Sequence, residues 1–136
     1  MDTLIEILAG VGFAVVFIAL ARTRGRPREL LIYGVALGLA AAVYVAFALT
    51  AGNGHAFVVE LLGVALFGSL GAVGIWLWPP MLAFGWIAHI AWDLLVSGSA
   101  ETGYAPSWYP TLCIGTDLFL AGYIWGLLWS RRPTAS

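Results

Sequence analysis

The stretch of sequence that decides the fold is residues 56–78, which read AFVVELLGVALFGSLGAVGIWLW and contain Glu60 as their only charged residue. A helix needs about 20 mostly apolar residues to cross the hydrocarbon core of a bilayer. The apolar residues are continuous rather than alternating with polar ones, which favours a helix over a transmembrane strand. Residues 56–78 are therefore predicted to form a membrane-spanning helix.

Four other apolar runs share these properties. The sequence predicts an all-α bundle of five transmembrane helices that forms a single integral membrane domain over residues 1–136. The predicted helices cover residues 3–21, 29–50, 56–78, 80–97 and 109–130. Pro79 and Pro80 separate the third helix from the fourth, because proline removes a backbone donor and fixes φ.

The composition excludes several classes of protein. Apolar residues make up 62% of the chain and charged residues only 10%, whereas about a quarter of the residues of a soluble domain are charged. The net charge of −1 provides no basic surface for a nucleic-acid partner. A single cysteine, Cys113, excludes an intramolecular disulfide. The expected surroundings are the lipid bilayer.

The arginines predict the orientation of the chain. Five spans place all of them on one side of the membrane: Arg22, Arg24, Arg26, Arg28, Arg131 and Arg132. Positive residues are enriched in cytoplasmic loops. We therefore expect the amino terminus outside and the carboxyl terminus in the cytoplasm.

Ionisable residues within the predicted spans are the candidate site. A charged side chain near a helix centre costs about 2.5–3.5 kcal/mol on insertion scales, so it needs a partner or a function. His89 and Asp93 are four residues apart and share a helix face, as do Cys113 and Asp117. Short connections make neighbours of the third, fourth and fifth helices. We expect one outward-opening cavity lined by these side chains: Glu60, His89, Asp93, Cys113 and Asp117.

Two kinds of chemistry fit these residues. One histidine with several carboxylates, and a thiolate in addition, suits a divalent metal such as zinc, iron or manganese, with His89, Asp93, Asp117, Glu60 and Cys113 as candidate ligands. Without a metal, a carboxylic acid kept neutral in an apolar pocket can protonate a double bond or an epoxide of a lipid. Asp93 would act as acid or ligand and His89 as base or ligand, with Asp117 and Glu60 as ligands or orienting groups.

The block Gly-Trp-Ile-Ala-His-Ile-Ala-Trp-Asp at residues 85–93, followed by Cys113 and Asp117, resembles a family of small bacterial integral membrane proteins of unknown function. That family has a Gly-Trp-x-x-His-x-x-Trp-Asp block, a later Cys/Asp block and an acidic residue that matches Glu60. The resemblance covers about residues 52–130 and implies the bacterial cytoplasmic membrane and the same site residues. This chain has Leu-Leu-Val-Ser at residues 94–97, where the family has histidines, and Thr116 in place of a second cysteine.

Three functions remain open from the sequence. The leading hypothesis is an enzyme for a lipid or isoprenoid-like substrate, with the loop of residues 98–108 as a lid. A proton or metal-ion transporter or channel, formed by an oligomer, is the second. It is disfavoured because the inner helix halves contain little that is polar beyond Ser69 and glycine. The third is a non-catalytic assembly subunit. The pairs Gly34/Gly38 and Gly122/Gly126 predict close helix contacts, within the chain or in a homo-oligomer.

Overall fold

The computed structural model describes residues 2–97 and 103–130, and within these ranges it contains five long helices and no strand. The helices are α1 (Thr3–Arg22), α2 (Arg26–Thr50), α3 (Gly54–Trp76), α4 (Pro80–Trp92) and α5 (Trp108–Trp129). A π-helical turn, Asp93–Ser97, continues α4. The predicted fold class is confirmed: all five helices are long and apolar enough to cross a membrane, with Pro80–Ser97 counted as one span. The chain is an integral membrane protein.

Two helices begin two or more residues earlier than the sequence predicted. α2 begins at Arg26 rather than at residue 29, because Pro27 is tolerated in the first turn, where backbone N–H groups have no partner within the helix. α3 begins at Gly54 because the side chain of Asn53 accepts a hydrogen bond from the backbone N–H of Ala56 at 3.0 Å and caps the helix.

The helices pack in two closely associated pairs joined by α4. α2 packs along α3, α1 packs along α5, and α4 lies against both α3 and α5. By contrast, α1 and α2 contact each other only slightly. This weak contact leaves a lateral opening between α1 and α2, which becomes important for the site.

Glycines allow the two close pairs to form. A Cβ atom on Gly10 would collide with the carbonyl group of Leu112, and one on Gly115 would collide with the carbonyl group of Ile7. The hydroxyl of Thr116 uses this close approach of α1 and α5 to donate a hydrogen bond to the carbonyl oxygen of Gly10 at 2.9 Å. Helices approach this closely only where small residues face each other.

The two predicted glycine pairs have different surroundings. Gly34 lies against α3, where a Cβ would come within 3.1 Å of the carbonyl oxygen of Gly71. Gly34 therefore serves packing within the chain. Gly122 and Gly126 lie on an exposed face of α5. A Cβ atom at either position would have no atom of another described helix within 4 Å.

The two ends of the bundle differ in charge. We call the end where α1 ends and α2 begins the arginine end, and the end where α4 ends and α5 begins the loop end. Large exposed tryptophans lie at both, with Trp76 and Trp129 at the arginine end and Trp108 at the loop end, as is typical of membrane interfaces. Arg131 and Arg132, and residues 98–102 of the predicted lid, lie outside the described residues.

Candidate functional site

A histidine between two aspartates forms the centre of the site. The Nδ1 atom of His89 lies 2.7 Å from Oδ2 of Asp117 and 3.4 Å from Oδ2 of Asp93. The hydroxyl of Tyr44 donates a hydrogen bond of 2.7 Å to Oδ1 of Asp93. We call these four residues the His89 cluster. All four are almost completely buried, with at most 1% of any of them exposed.

Three helices bring the His89 cluster together. His89 and Asp93 share a face of α4, as their spacing predicted, while α5 supplies Asp117 and α2 supplies Tyr44. Asp93 is the first residue of the π-helical turn, and its backbone N–H approaches the carbonyl oxygens of both His89 and Ile90. Such π turns inside helices are frequent at functional sites, because they displace a side chain from its regular helical position.

The His89 cluster leaves hydrogen-bonding capacity unused. Within residues 2–97 and 103–130, Nε2 of His89, Oδ2 of Asp93 and the nearby Nε1 of Trp86 have no hydrogen-bond partner. Burying such groups without a partner costs free energy. An imidazole held through one nitrogen by a carboxylate, with its other nitrogen free, is the arrangement of general bases and metal ligands.

The geometry brings together part of the predicted ligand set. His89, Asp93 and Asp117 each offer one ligand atom, and these atoms lie within 4.8 Å of one another. A catalytic zinc site uses three protein ligands and keeps one position open. Glu60 and Cys113 do not belong to this group of three.

Glu60 forms a separate cluster. Its carboxylate accepts hydrogen bonds from Nε1 of Trp92 at 3.0 Å, from the hydroxyl of Ser97 at 2.7 Å, and from the hydroxyl of Tyr104. We call these four residues the Glu60 cluster. The expectation of one cavity lined by all five predicted residues therefore needs correction: the donors to Glu60 lie at the end of α4, in the π-helical turn and in the segment that precedes α5.

Tyr104 is buried, with only 7% of its surface exposed. Burial raises the pKa of the Tyr104 hydroxyl above its ordinary value, and the hydrogen bond to Glu60 raises the pKa further. Tyr104 is therefore a stable neutral donor, and it anchors the segment that leads into α5.

Two cavities reach the His89 cluster. The apolar cleft, of about 340 Å³, opens between α1 and α2 and reaches Asp117 and Cys113. The polar pocket, of about 370 Å³, lies at the loop end and reaches Asp93 and Ser97. The two aspartates that flank His89 thus line different cavities.

Cys113 lies beside the His89 cluster as a wall residue of the apolar cleft. It is 6% exposed and interacts with Tyr109 and Tyr44. The predicted shared face of Cys113 and Asp117 is confirmed, since both line the cleft.

The sequence interpretation missed a fourth buried carboxylate. Glu29 is 2% exposed and accepts hydrogen bonds from Tyr33 at 2.8 Å and from Tyr123 at 2.7 Å. It lies at the arginine end, so the description of the inner helix halves as almost free of polar groups was wrong. The spacing of Glu29 and Tyr33, four residues apart on α2, was the available signal.

Fold and site together define a class: a polytopic helical membrane protein with a buried imidazole–carboxylate centre between an apolar cleft and a polar pocket. Comparisons with known protein families, with curated proteins and with solved structures find no match for this chain. The resemblance based on residues 85–93 therefore stays a prediction.

Proposed function

We propose that this protein is an intramembrane enzyme that acts on a lipid or isoprenoid-like substrate by acid–base catalysis at the His89 cluster. The observation that carries the proposal is the apolar cleft, which lies between α1 and α2 and is lined by Asp117 on α5. In a bilayer this opening faces the acyl chains, so a lipid can enter without crossing water.

The cleft suits a hydrocarbon chain. Its volume of about 340 Å³ lies within the range of about 300–1,000 Å³ that is typical of ligand pockets, which combine apolar walls with a few polar groups. Its lining is apolar along α1 and α2, from Phe13 and Phe17 to Leu39 and Val43. The polar groups are concentrated at the α5 side, where a reactive group of the substrate would meet Asp117.

Each residue of the cluster then has a role. Asp117 donates a proton to a double bond or an epoxide of the bound lipid. His89, whose Nδ1 contacts both aspartates, transfers protons between them, and Tyr44 holds Asp93 through its hydroxyl. Glu60 is a positioning residue, because its bonds to Trp92 and Ser97 fix both sides of Asp93.

The membrane setting is part of the proposal. With the arginine end in the cytoplasm, as the positive-inside rule predicts, the amino terminus and the site lie toward the outer leaflet. The bacterial cytoplasmic membrane follows from the resemblance of residues 85–93. Labelling a cysteine introduced at the exposed His55 in intact cells and in opened cells tests this orientation. Modification only after the cells are opened would reverse it.

Mass spectrometry after incubation in D₂O tests the enzymatic proposal, because protonation of a double bond leaves deuterium on carbon and opening of an epoxide gives a newly formed lipid. Purified protein in vesicles of phosphatidylethanolamine and phosphatidylglycerol, supplemented with a polyprenol and its epoxide, is incubated in D₂O, and the lipids are examined by mass spectrometry. We expect a deuterium-containing or newly formed lipid with the wild type. Asp117→Asn should slow its formation by about 10²-fold or more, the usual contribution of a general acid.

Glu29→Gln is the matched control for Asp117→Asn. Both carboxylates are buried on hydrogen-bonding partners, but Glu29 lies at the arginine end and does not line the apolar cleft. We expect Glu29→Gln to keep the wild-type rate. Equal losses in the two variants, or no altered lipid with folded wild type, would contradict the proposal.

A divalent metal is a second candidate, favoured by the three ligand atoms within 4.8 Å. Zinc, iron or manganese held by His89, Asp93 and Asp117 would act as a Lewis acid on the same substrate. Elemental analysis of protein purified without chelator is the test. Near-stoichiometric metal that is lost in His89→Ala and kept in Glu29→Gln supports it, and metal-free active protein excludes it.

Ion transport is a further alternative, because the buried Glu29 provides a polar group at the arginine end. Glu29 and Tyr44 are separated by about 22 Å along α2, at about 1.5 Å per residue, and the buried residues of α2 between Tyr33 and Tyr44 are apolar. A pore would therefore need a second copy, for example at the exposed Gly122 and Gly126 of α5. Proton or metal flux into vesicles that is abolished by both Asp117→Asn and Glu29→Gln would favour transport over the enzyme.

A non-catalytic assembly subunit is the third function. It would be favoured if cellular function were unaltered when every buried acid is replaced by its amide.

A further inference from the structure

The two cavities at the His89 cluster differ in chemistry and in direction. The apolar cleft opens laterally between helices and reaches Asp117. The polar pocket opens at the loop end, between the π-helical turn and the segment from Gly103 to Ser107, and reaches Asp93. A site that only rearranged a lipid would need the first cavity and no second one.

The walls of the polar pocket suit water. Besides Asp93 they include the hydroxyl-bearing residues Ser97, Ser107 and Thr111, and Ser107 and Gly103 are exposed at the mouth. Water occupies a cavity stably where several polar partners surround it, whereas an apolar cavity stays dry. The buried Oδ2 atom of Asp93 has no hydrogen-bond partner among the described residues and therefore lacks a donor.

We propose that water is the second substrate of this centre, and that the enzyme adds water to a double bond or an epoxide of its lipid. This inference rests on the proposed acid–base function and specifies it. Water reaches Asp93 through the polar pocket, and the lipid reaches Asp117 through the apolar cleft.

The reaction balances with the groups present. The carboxylate of Asp93 accepts a proton from water while the water oxygen forms a bond to one carbon of the lipid. At the same time the carboxylic acid of Asp117 gives its proton to the other carbon of the double bond, or to the epoxide oxygen as its C–O bond breaks and the oxygen keeps the electron pair. The lipid gains one oxygen and two hydrogens in total.

His89 restores the starting state. After the addition, Asp93 carries the extra proton and Asp117 lacks one. Nδ1 of His89 lies 3.4 Å from Oδ2 of Asp93 and 2.7 Å from Oδ2 of Asp117, so one nitrogen can accept the proton from the first and give it to the second. No oxidant, reductant or third reactant is needed.

Oxygen labelling separates this inference from the proposed function. The same vesicles of phosphatidylethanolamine and phosphatidylglycerol, containing a polyprenol and its epoxide, are incubated in H₂¹⁸O and, separately, in D₂O. We expect a lipid product that contains ¹⁸O in the first and, where a double bond has gained water, carbon-bound deuterium in the second. Deuterium without ¹⁸O would overturn the addition of water and leave acid–base catalysis intact. With folded protein, neither label in any lipid would overturn both.

Cysteine accessibility tests the polar pocket independently of activity. Thr111→Cys places a thiol in the polar pocket and Ala40→Cys places one in the apolar cleft, and both positions are partly buried. A charged thiol reagent should modify Thr111→Cys about tenfold faster than Ala40→Cys, because thiol reactivity requires an accessible, polar setting. The wild type, with buried Cys113, gives the baseline.

An apolar thiol reagent completes the comparison. It should modify Ala40→Cys in vesicles, which shows that this variant is folded with an open cleft. Equal or slower reaction of Thr111→Cys with the charged reagent would show that the polar pocket does not hold water, and would overturn the inference. Modified Thr111→Cys should also lose ¹⁸O incorporation, because the attached group fills the path to Asp93.

Discussion

The Glu60 cluster and the His89 cluster are close in the fold but differ in how many hydrogen-bond donors surround each carboxylate. In the first, one carboxylate accepts from three donors: Trp92, Ser97 and Tyr104. In the second, two carboxylates share the hydroxyl of Tyr44 and the Nδ1 atom of His89. The Glu60 cluster is satisfied by its neighbours, while the His89 cluster keeps atoms that have no hydrogen-bond partner among the described residues.

This difference distinguishes a structural acid from a reactive one. A buried carboxylate surrounded by donors is held in place and rigidifies what it binds. Buried acceptors without enough donors cost free energy unless a bound water or a substrate supplies the missing hydrogen bond. Only the His89 cluster is reached by both cavities through its aspartates. We therefore assign chemistry to the His89 cluster and positioning to the Glu60 cluster.

The largest expected effect is on activity at the His89 cluster. Asp93→Asn keeps the size of the side chain but removes the group that accepts a proton. We expect the rate of lipid conversion to fall by about 10²–10⁴-fold, the usual contribution of acid–base catalysis. The yield and elution profile of the protein in mild detergent should match those of the wild type. A normal rate, or a loss of folded protein alone, would make Asp93 structural.

The next largest effect is on stability at the Glu60 cluster. Glu60→Ala leaves the two buried donors Ser97 and Tyr104 and the partly buried donor Trp92 without their acceptor, and we expect it to lower the free energy of unfolding by on the order of 3 kcal/mol. Thermal unfolding in detergent measures this change. Glu60→Gln, which keeps an acceptor oxygen, should lose less. If Glu60→Ala unfolds at the wild-type temperature, the contrast between the clusters is wrong.

The sequence predicted the fold almost completely, because the signal for membrane helices is local. A sufficiently long run of apolar residues identifies each span, and the five predicted spans appear within the described residues. The boundaries shifted where capping matters, at Pro27 and Asn53. The π-helical turn at residues 93–97 could not be predicted, since no local pattern in Leu-Leu-Val-Ser indicates a wider turn.

The site was predicted only where its geometry is local. His89 and Asp93 were expected to meet because they share a helix face, and they do. Which carboxylate joins them depends on the rotation and tilt of each helix, and these follow from contacts such as those of Gly10, Gly34 and Gly115. Glu60 was therefore expected to line the same cavity as Asp117 but faces other partners. Tyr44 was missed because a tyrosine in an apolar helix carries no distinguishing signal.

Tyr44→Phe refines the contrast with a smaller effect on catalysis. It removes only the hydroxyl that bonds to Asp93 at 2.7 Å. We expect about a tenfold lower kcat, equivalent to about 1.4 kcal/mol, with little change in KM, because Tyr44 positions Asp93 and does not line the apolar cleft. A changed KM with normal kcat would instead place Tyr44 in substrate binding.

Tyr104→Phe should have the smallest effect, and its size should depend on pH. It removes one of three donors to Glu60, which at neutral pH should cost about 1 kcal/mol of stability. The raised pKa of the Tyr104 hydroxyl means that the folded state holds this proton more tightly than the unfolded state does. Its contribution is therefore fully present below the ordinary tyrosine pKa of 10.0 and declines as the pH rises above that value.

Urea or thermal unfolding of wild type and Tyr104→Phe, compared at neutral pH and above pH 10, measures that difference. The stability gap between the two proteins should narrow in alkali, because only the wild type loses the contribution of Tyr104. A gap that is constant with pH would mean that the hydroxyl bond to Glu60 does not form. The carboxylate of Glu60 would then accept from two donors, Trp92 and Ser97. Its contrast with the His89 cluster, which has one donor for each carboxylate, would be smaller.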